Sequence, residues 1–327
     1  MTQPKSPLYI FLHLPKTGGI TLRYHIIKRF GKKRVLFFNQ SKDEKFATIR
    51  GVNEFLACLS DKEKNQIKII FGHEVYYGIH RHFPNREPRY VTFFREPAKL
   101  YVSFYNFFKN KIDEGSQFVT RERTDFVPAD VDLTFSNFVK YSPNLSYGYF
   151  ENRLLAGKAD FKVNRGQANF PQIKKILASF FFIGLTENPA DFLFVYNLLG
   201  VRKFYCHKNV TKKFLVDEKR LNRQELAAAT ELDQELYRYV KELNRRLADS
   251  LLYQKLIRHR PRQEINKIIF YIPDLISNLV YGLWAKGGAT YRQGLLASQR
   301  VNGLETRSVS SRVKAEYHTD GKRYKKS

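Results

Sequence analysis

The stretch His13-Leu14-Pro15-Lys16-Thr17-Gly18-Gly19-Ile20-Thr21-Leu22 constrains this chain more than any other feature. The apolar run Leu8–Leu12 ahead of it is aromatic and β-branched and of strand length, so it reads as a buried strand. Behind it Leu22, Ile26, Ile27 and Phe30 recur at helical spacing, and Gly31 stands where a helix would stop. The unit is therefore strand, glycine-containing turn, helix. Such a unit aims backbone N–H groups and the positive end of a helix dipole at one point, which suits a phosphate. Lys16 adds a mobile positive charge, and Thr17 and Thr21 add hydroxyls. The turn is not a Walker loop, because the lysine precedes the glycine pair and no Walker glycine stands upstream.

Strand and helix signals alternate through the first half of the chain, the pattern of a parallel sheet with crossover helices. The expected strands are Leu8–Leu12, Arg34–Phe38, Ile67–Phe71 and Tyr90–Phe94, with Phe180–Leu185 following a helical segment near Gln172–Ala178. The early strands end at Lys16, Asn39, His73 and Arg95. Ligands of open α/β sheets sit beyond the carboxyl ends of the strands, so these residues are expected to converge.

A second stretch, Tyr90-Val91-Thr92-Phe93-Phe94-Arg95-Glu96-Pro97-Ala98-Lys99-Leu100-Tyr101-Val102-Ser103, runs a buried strand into an arginine. Pro97 is placed as a first helical residue, and Leu100, Tyr101, Phe104, Tyr105 and Phe108 give the following helix an aromatic face. Arginine at a strand end with serine on the next helix can grip a phosphate by a fork and a hydroxyl. A third stretch, Ile69-Ile70-Phe71-Gly72-His73, ends a strand in Gly-His.

These elements together resemble the sulfotransferases that use 3′-phosphoadenosine 5′-phosphosulfate (PAPS). The likeness is to the carbohydrate O-sulfotransferase branch, which includes the heparan sulfate 2-O and 6-O enzymes and their bacterial relatives. Pro15-Lys16-Thr17-Gly18-Gly19-Ile20-Thr21 resembles its 5′-phosphosulfate loop, and Arg95-Glu96-Pro97 with Ser103 resembles its 3′-phosphate motif, Glu96 standing where aspartate is commoner. The resemblance implies a P-loop-like three-layer α/β fold and the transfer of a sulfuryl group from PAPS to a carbohydrate hydroxyl. It implies Lys16, Thr17, Gly18, Gly19, Ile20 and Thr21 at the 5′ end of the donor, Arg95 and Ser103 at the 3′-phosphate, and no metal. The family places its general base in a Gly-His such as Gly72-His73, and Tyr77-Gly78-Ile79-His80 resembles the continuation, one residue further on. Histidine suits this role near neutral pH. Glu74 is the rival base; His13, His80 and His82 read as structural or as minor substrate contacts.

The likeness extends from Leu8 to Leu247. Tyr149-Phe150-Glu151-Asn152-Arg153-Leu154-Leu155-Ala156-Gly157 resembles a compressed N-x-x-R-x-L-x-G element. Phe182–Glu187 resembles the late strand, followed by a helix over Asp191–Leu199. Lys208-Asn209-Val210-Thr211-Lys212-Lys213 resembles the loop that closes over the nucleotide, ahead of a terminal helix holding Leu232–Tyr237. Lys212 and Lys213 are thus candidate phosphate contacts, and equally a two-lysine surface loop.

Charge narrows the partners. The 57 Lys+Arg against 31 Asp+Glu give +26, a field that attracts polyanions. It suits an anionic acceptor such as a uronic-acid-containing polysaccharide; no nucleic-acid partner is expected. The two cysteines, Cys58 and Cys206, form neither a disulfide framework nor a metal spacing, which favours a reducing compartment. No signal-like or spanning apolar segment opens the sequence, which fits a bacterial cytoplasmic enzyme or a trimmed catalytic domain.

The pattern changes after Leu256. The catalytic domain is expected over 1–257 and a C-terminal extension over 258–327, helical or irregular, amphipathic and then basic and partly disordered. The apolar cluster 268–284 is broken by Pro273, Asp274 and Asn278; it is too short to span a bilayer and is a candidate for peripheral membrane contact. Two other functions compete with sulfuryl transfer. An ATP-dependent P-loop kinase would use Thr17 after Lys16 for magnesium, and a non-catalytic basic module would bind a polyanion or a membrane surface.

Overall fold

The computed structural model describes residues 5–38, 46, 48–115, 127–156, 167–201, 215–216 and 223–258. Among the described residues five strands form one sheet: β1 (Ser6–Leu12), β2 (Val35–Phe38), β3 (Ile69–Gly72), β4 (Arg86–Phe94) and β5 (Phe182–Leu185). Their order is β2-β3-β1-β4-β5 and every pairing is parallel. The helices are α1 (Gly19–Phe30), α2 (Ile49–Ala57), α3 (Asp61–Gln66), α4 (Pro97–Asp113), α5 (Phe135–Tyr141), α6 (Leu145–Leu155), α7 (Phe170–Ala178), α8 (Pro189–Leu198), α9 (Arg223–Ala229), α10 (Glu231–Ala248) and α11 (Leu251–Ile257). The alternation legible in the sequence is thus an α/β fold with a parallel sheet.

Both faces of the sheet are buried, which is why its strands read as continuous apolar runs. Leu8, Ile10 and Leu12 of β1 point into one core with α2, α4, α6, α7 and α10. Phe11 points the other way, with Phe71, Val91, Phe93 and Phe182, against α1, α8 and α11. Helix α10 also shields the edge strand β5: Asn244 Nδ2 donates to the Ile183 carbonyl at 2.8 Å and to Asp191 at 2.9 Å. Local signals set the helix ends. Gly31 (φ 75°) stops α1, its N–H donating to the Ile27 carbonyl at 2.9 Å, and Pro97 opens α4.

One strand is longer than its pattern suggests. β4 begins at Arg86 rather than Tyr90, through the polar Arg86-Glu87-Pro88-Arg89. The buried Arg86 guanidinium donates to the carbonyls of Ser6 (3.1 Å), Pro7 (2.6 Å) and Ile67 (2.6 Å), so it fastens the starts of β1, β3 and β4 together. Of the C-terminal extension, 258–327, all but Arg258 lies outside the described residues, as does the loop holding Lys212 and Lys213.

Candidate active site

The strand order puts β1 between β3 and β4, so their carboxyl ends deliver His13, His73 and Arg95 side by side. Past Leu12 the ladder continues by one bond, from the His13 N–H to the Gly72 carbonyl at 3.2 Å. The chain then turns through Leu14–Gly18 into α1. Lys16 adopts φ 69° and Gly18 φ 78°, two left-handed residues that bend the turn back over the strand. The Thr17 side chain is buried, and its hydroxyl donates to the Leu14 carbonyl at 2.7 Å, bracing the turn from within. With that proton committed, the 3.3 Å contact between Thr17 Oγ1 and His13 Nδ1 has the imidazole as donor.

Gly19 is required by a close approach. A Cβ there would lie 1.8 Å from His13 Nε2, so the His13 ring occupies the space that any side chain at the first residue of α1 would need. His13 is therefore part of the loop's scaffold. Helix α1 carries no side-chain cap at Gly18 and no acidic residue in its first turn, which leaves the positive end of its dipole uncompensated from within the helix.

His73 stacks on His13 with ring centroids 4.8 Å apart, and its Nδ1 lies 2.9 Å from the His13 carbonyl. A carbonyl only accepts, so Nδ1 is the protonated nitrogen and Nε2 of the neutral ring keeps its lone pair. Burial lowers the His73 pKa; the bond to the His13 carbonyl opposes this, while Arg153 and Arg23 reinforce it. His13 is held well below the usual histidine value, by burial first and then by His73 and Arg23. Both rings are thus neutral at pH 7.

Tyr149 of α6 joins the two strand ends. Its hydroxyl lies 2.8 Å from the His13 carbonyl and 3.0 Å from the His73 carbonyl, within donating distance of both. One turn on, Arg153 forms an ion pair with the buried Glu74 and returns its own carbonyl to the Tyr77 N–H at 2.8 Å. Burial raises the Glu74 pKa and Arg153 opposes that rise. The rival base is thereby engaged in a structural pair. His80 Nδ1 shares a hydrogen bond with the Tyr90 hydroxyl at 2.8 Å, and His82 Nε2 contacts Asn53 Oδ1 at 3.0 Å. Both serve the loop before β4.

Arg95 follows β4, and its Nη1 donates to the Lys16 carbonyl at 3.0 Å. Lys16 Nζ lies 4.2 Å from the centre of the Phe107 ring of α4. Burial, and then Arg95, lower the Lys16 pKa to about 8, so the ammonium remains mostly charged at pH 7. Ser103 is half-buried on α4, two turns in from Pro97. Glu96 pairs with Lys99 at 2.8 Å, and its N–H donates to Glu187 beyond β5 at 3.1 Å. The structure thus brings together the loop, His73 and Arg95, while Lys212 and Lys213 lie outside the described residues.

The arrangement concentrates cations, Lys16, Arg23, Arg95 and Arg153, around two neutral imidazoles at the mouth of a parallel sheet. It can hold an anion at the head of α1 and accept a proton beside it. Sequence reasoning did not assign Tyr149, Phe107 or the Glu74–Arg153 pair. Tyr149 and Arg153 stand four apart on one helix, but nothing in the sequence says which strand ends that helix covers. Among the described residues no His, Cys, Asp and Glu cluster could hold a metal ion, and no helix is long and apolar enough to cross a membrane. Comparison with known proteins finds no matching family model and no matching curated protein.

Proposed function

We propose that this protein is a sulfotransferase that moves a sulfuryl group from PAPS to a carbohydrate hydroxyl, on a P-loop-like version of the α/β fold. The observation that carries the reading is the convergence of three motifs at adjacent strand ends: the Lys16 turn, His73 with its bare Nε2, and Arg95. In this reading the acceptor oxygen attacks sulfur as its proton passes to His73 Nε2. The bond from sulfur to the bridging phosphate oxygen breaks, giving a sulfate ester and adenosine 3′,5′-bisphosphate. Lys16 and the N–H groups at the head of α1 take the charge that builds on the departing phosphate. One such donor contributes about 2.7–4 kcal/mol of transition-state stabilisation.

Arg95 and Ser103 are assigned to the 3′-phosphate, the group that separates this donor from ATP, with Lys212 and Lys213 as further contacts. No metal is assigned a role. The Thr17 side chain supports this donor over ATP with magnesium, because it is buried, with its proton given to the Leu14 carbonyl and its oxygen facing His13 Nδ1, and so does not present the ligand a P-loop kinase needs. The excess of basic residues supports an anionic acceptor, an acidic polysaccharide or glycan, and a cytoplasmic location of bacterial type completes the reading.

Calorimetry with adenosine 3′,5′-bisphosphate and with ATP tests the donor site, and labelled PAPS offered with a panel of polysaccharides tests the transfer. Tight binding of the bisphosphate over ATP and label in a polysaccharide are expected. Preference for magnesium-ATP would reassign the protein to phosphoryl transfer.

A further inference from the structure

The edge of the sheet opposite the site carries a second concentration of positive charge, which the proposed reaction does not use. Helix α1 runs back to the amino ends of the strands and finishes with Lys28 and Arg29; a 3-10 turn, Lys32–Arg34, then leads into β2. The Lys68 N–H at the head of β3 donates to the Arg34 carbonyl at 2.9 Å, so these strand heads adjoin. Arg86 binds the Ile67 carbonyl at 2.6 Å and the Asn65 carbonyl at 3.4 Å, which holds the end of α3, with Lys62 one turn back, at the same edge.

Lys28, Lys32, Lys33, Arg34 and Lys62 are exposed and Lys68 is half-buried. None of them makes an ion pair among the described residues. Elsewhere on the surface cations are laced to carboxylates: Lys109 to Asp113, Lys111 to Glu114, Lys174 to Glu235, and Arg245 and Arg246 to Glu242. The carboxylates nearest in sequence, Asp61, Glu63 and Glu87, are outnumbered by these cations. Glu63 is held in the capping box of Ser60, and Glu87 pairs with Arg89. Lys28 and Arg29 have a local purpose at the negative end of α1, and Arg29 also donates to the Gly200 carbonyl at 2.9 Å. The 3-10 turn, Lys62 and Lys68 have none. Like charges left together repel one another, and an external anion of matching extent relieves that repulsion.

The form of the array identifies the anion. It is mostly lysine, a hydrated point charge without the fork that reads one phosphate or carboxylate bidentately. Its members come from α1, the 3-10 turn, α3 and the residue before β3, spread along one side of the sheet rather than gathered around one point. We propose that this amino edge docks the protein on an anionic lipid surface, independently of the reading of the site above. Among the described residues the exposed large apolar side chains are Ile20, Tyr141, Leu251 and Leu252, none of them on α3, the 3-10 turn or the last turn of α1, so these elements supply charge alone. Docked by its amino edge, the sheet turns Lys16, His73 and Arg95 away from the lipid.

The test is co-sedimentation of the full chain with phosphatidylcholine vesicles, with and without phosphatidylserine, at low and high salt. Binding should require phosphatidylserine and weaken with salt. The double variant Lys32→Glu with Lys33→Glu should lower binding by roughly 30-fold or more, at about 1 kcal/mol per basic residue near the surface. Lys109→Glu with Lys111→Glu makes the same change in net charge on α4, just past the Phe107 that meets Lys16 at the carboxyl ends of the strands, and should bind much as the parent does. Circular dichroism of each variant confirms that it folds. Equal loss in both variants would mean that net charge, not this edge, drives binding, and the proposal would fall. It would fall equally if the parent ignored phosphatidylserine vesicles, or if only a soluble polymer such as dextran sulfate showed dependence on Lys32 and Lys33.

Discussion

His73 donates from Nδ1 to the carbonyl of His13 at 2.9 Å, and the two rings lie against each other at 4.8 Å. The backbone of one strand end therefore fixes which nitrogen of the neighbouring histidine is basic, while burial keeps the ring neutral. In the proposed reaction, base and loop charge set a window of pH. His73 acts when unprotonated, so rate should rise with pH along a limb below the ordinary histidine value of 6.5. Lys16 acts when protonated, so rate should fall again as pH passes about 8. A pH–rate profile checks both limbs. His73→Ala should remove the acid limb and about 10²–10⁴ of the rate while sparing donor binding. Near-full activity in His73→Ala would end its assignment as the base.

Arg95 and Lys16 are expected to separate by kinetics. Arg95→Ala removes the proposed phosphate fork together with the bond that holds the Lys16 carbonyl, so affinity for adenosine 3′,5′-bisphosphate should drop sharply. Lys16→Ala should lower kcat more than affinity, since its partner charge develops during transfer. Calorimetry beside steady-state kinetics distinguishes the two, and unchanged bisphosphate affinity in Arg95→Ala would remove the 3′-phosphate assignment.

The buried Glu74 and the partly exposed Arg153 form an ion pair that ties the loop after β3 to α6. Truncating one partner strands the other, at a cost of up to about 3–5 kcal/mol for a fully buried pair. Glu74→Ala should therefore reduce thermal stability strongly, and the loss should shrink when Arg153→Met is added. A Glu74→Ala protein that is as stable as the parent but inactive would make the carboxylate the base.

Asp233 couples stability to pH. It is buried beneath α6 and accepts from the Tyr147 N–H at 2.7 Å, and burial raises its pKa from 3.8 to about 7. The folded chain then binds a proton that the unfolded chain releases, so stability should fall as pH rises from about 4 to about 7. Asp233→Asn cannot ionise and keeps the Oδ1 acceptor, so its melting temperature should vary less over that range. An identical pH slope in parent and variant would refute this.

The sequence by itself determined the fold class and the local elements. Apolar runs of strand length, Gly31 and Pro97 at helix boundaries, and the turn around Lys16 are short-range signals, and the strands and helices lie where those signals put them. It determined less where polar residues serve distant partners. Arg86, Glu87 and Pro88 break an apolar pattern, yet β4 runs through them because the Arg86 guanidinium is satisfied by carbonyls of β1 and of the segment before β3. Only the tertiary structure decided the order β2-β3-β1-β4-β5, and with it the meeting of His13 with His73 and of Lys16 with Arg95. The same holds for Tyr149, whose hydroxyl reaches the carbonyls of His13 and His73, 136 and 76 residues away in sequence. Such contacts depend on where whole elements pack, and hydrophobic periodicity records which face of an element is buried but not which neighbour buries it.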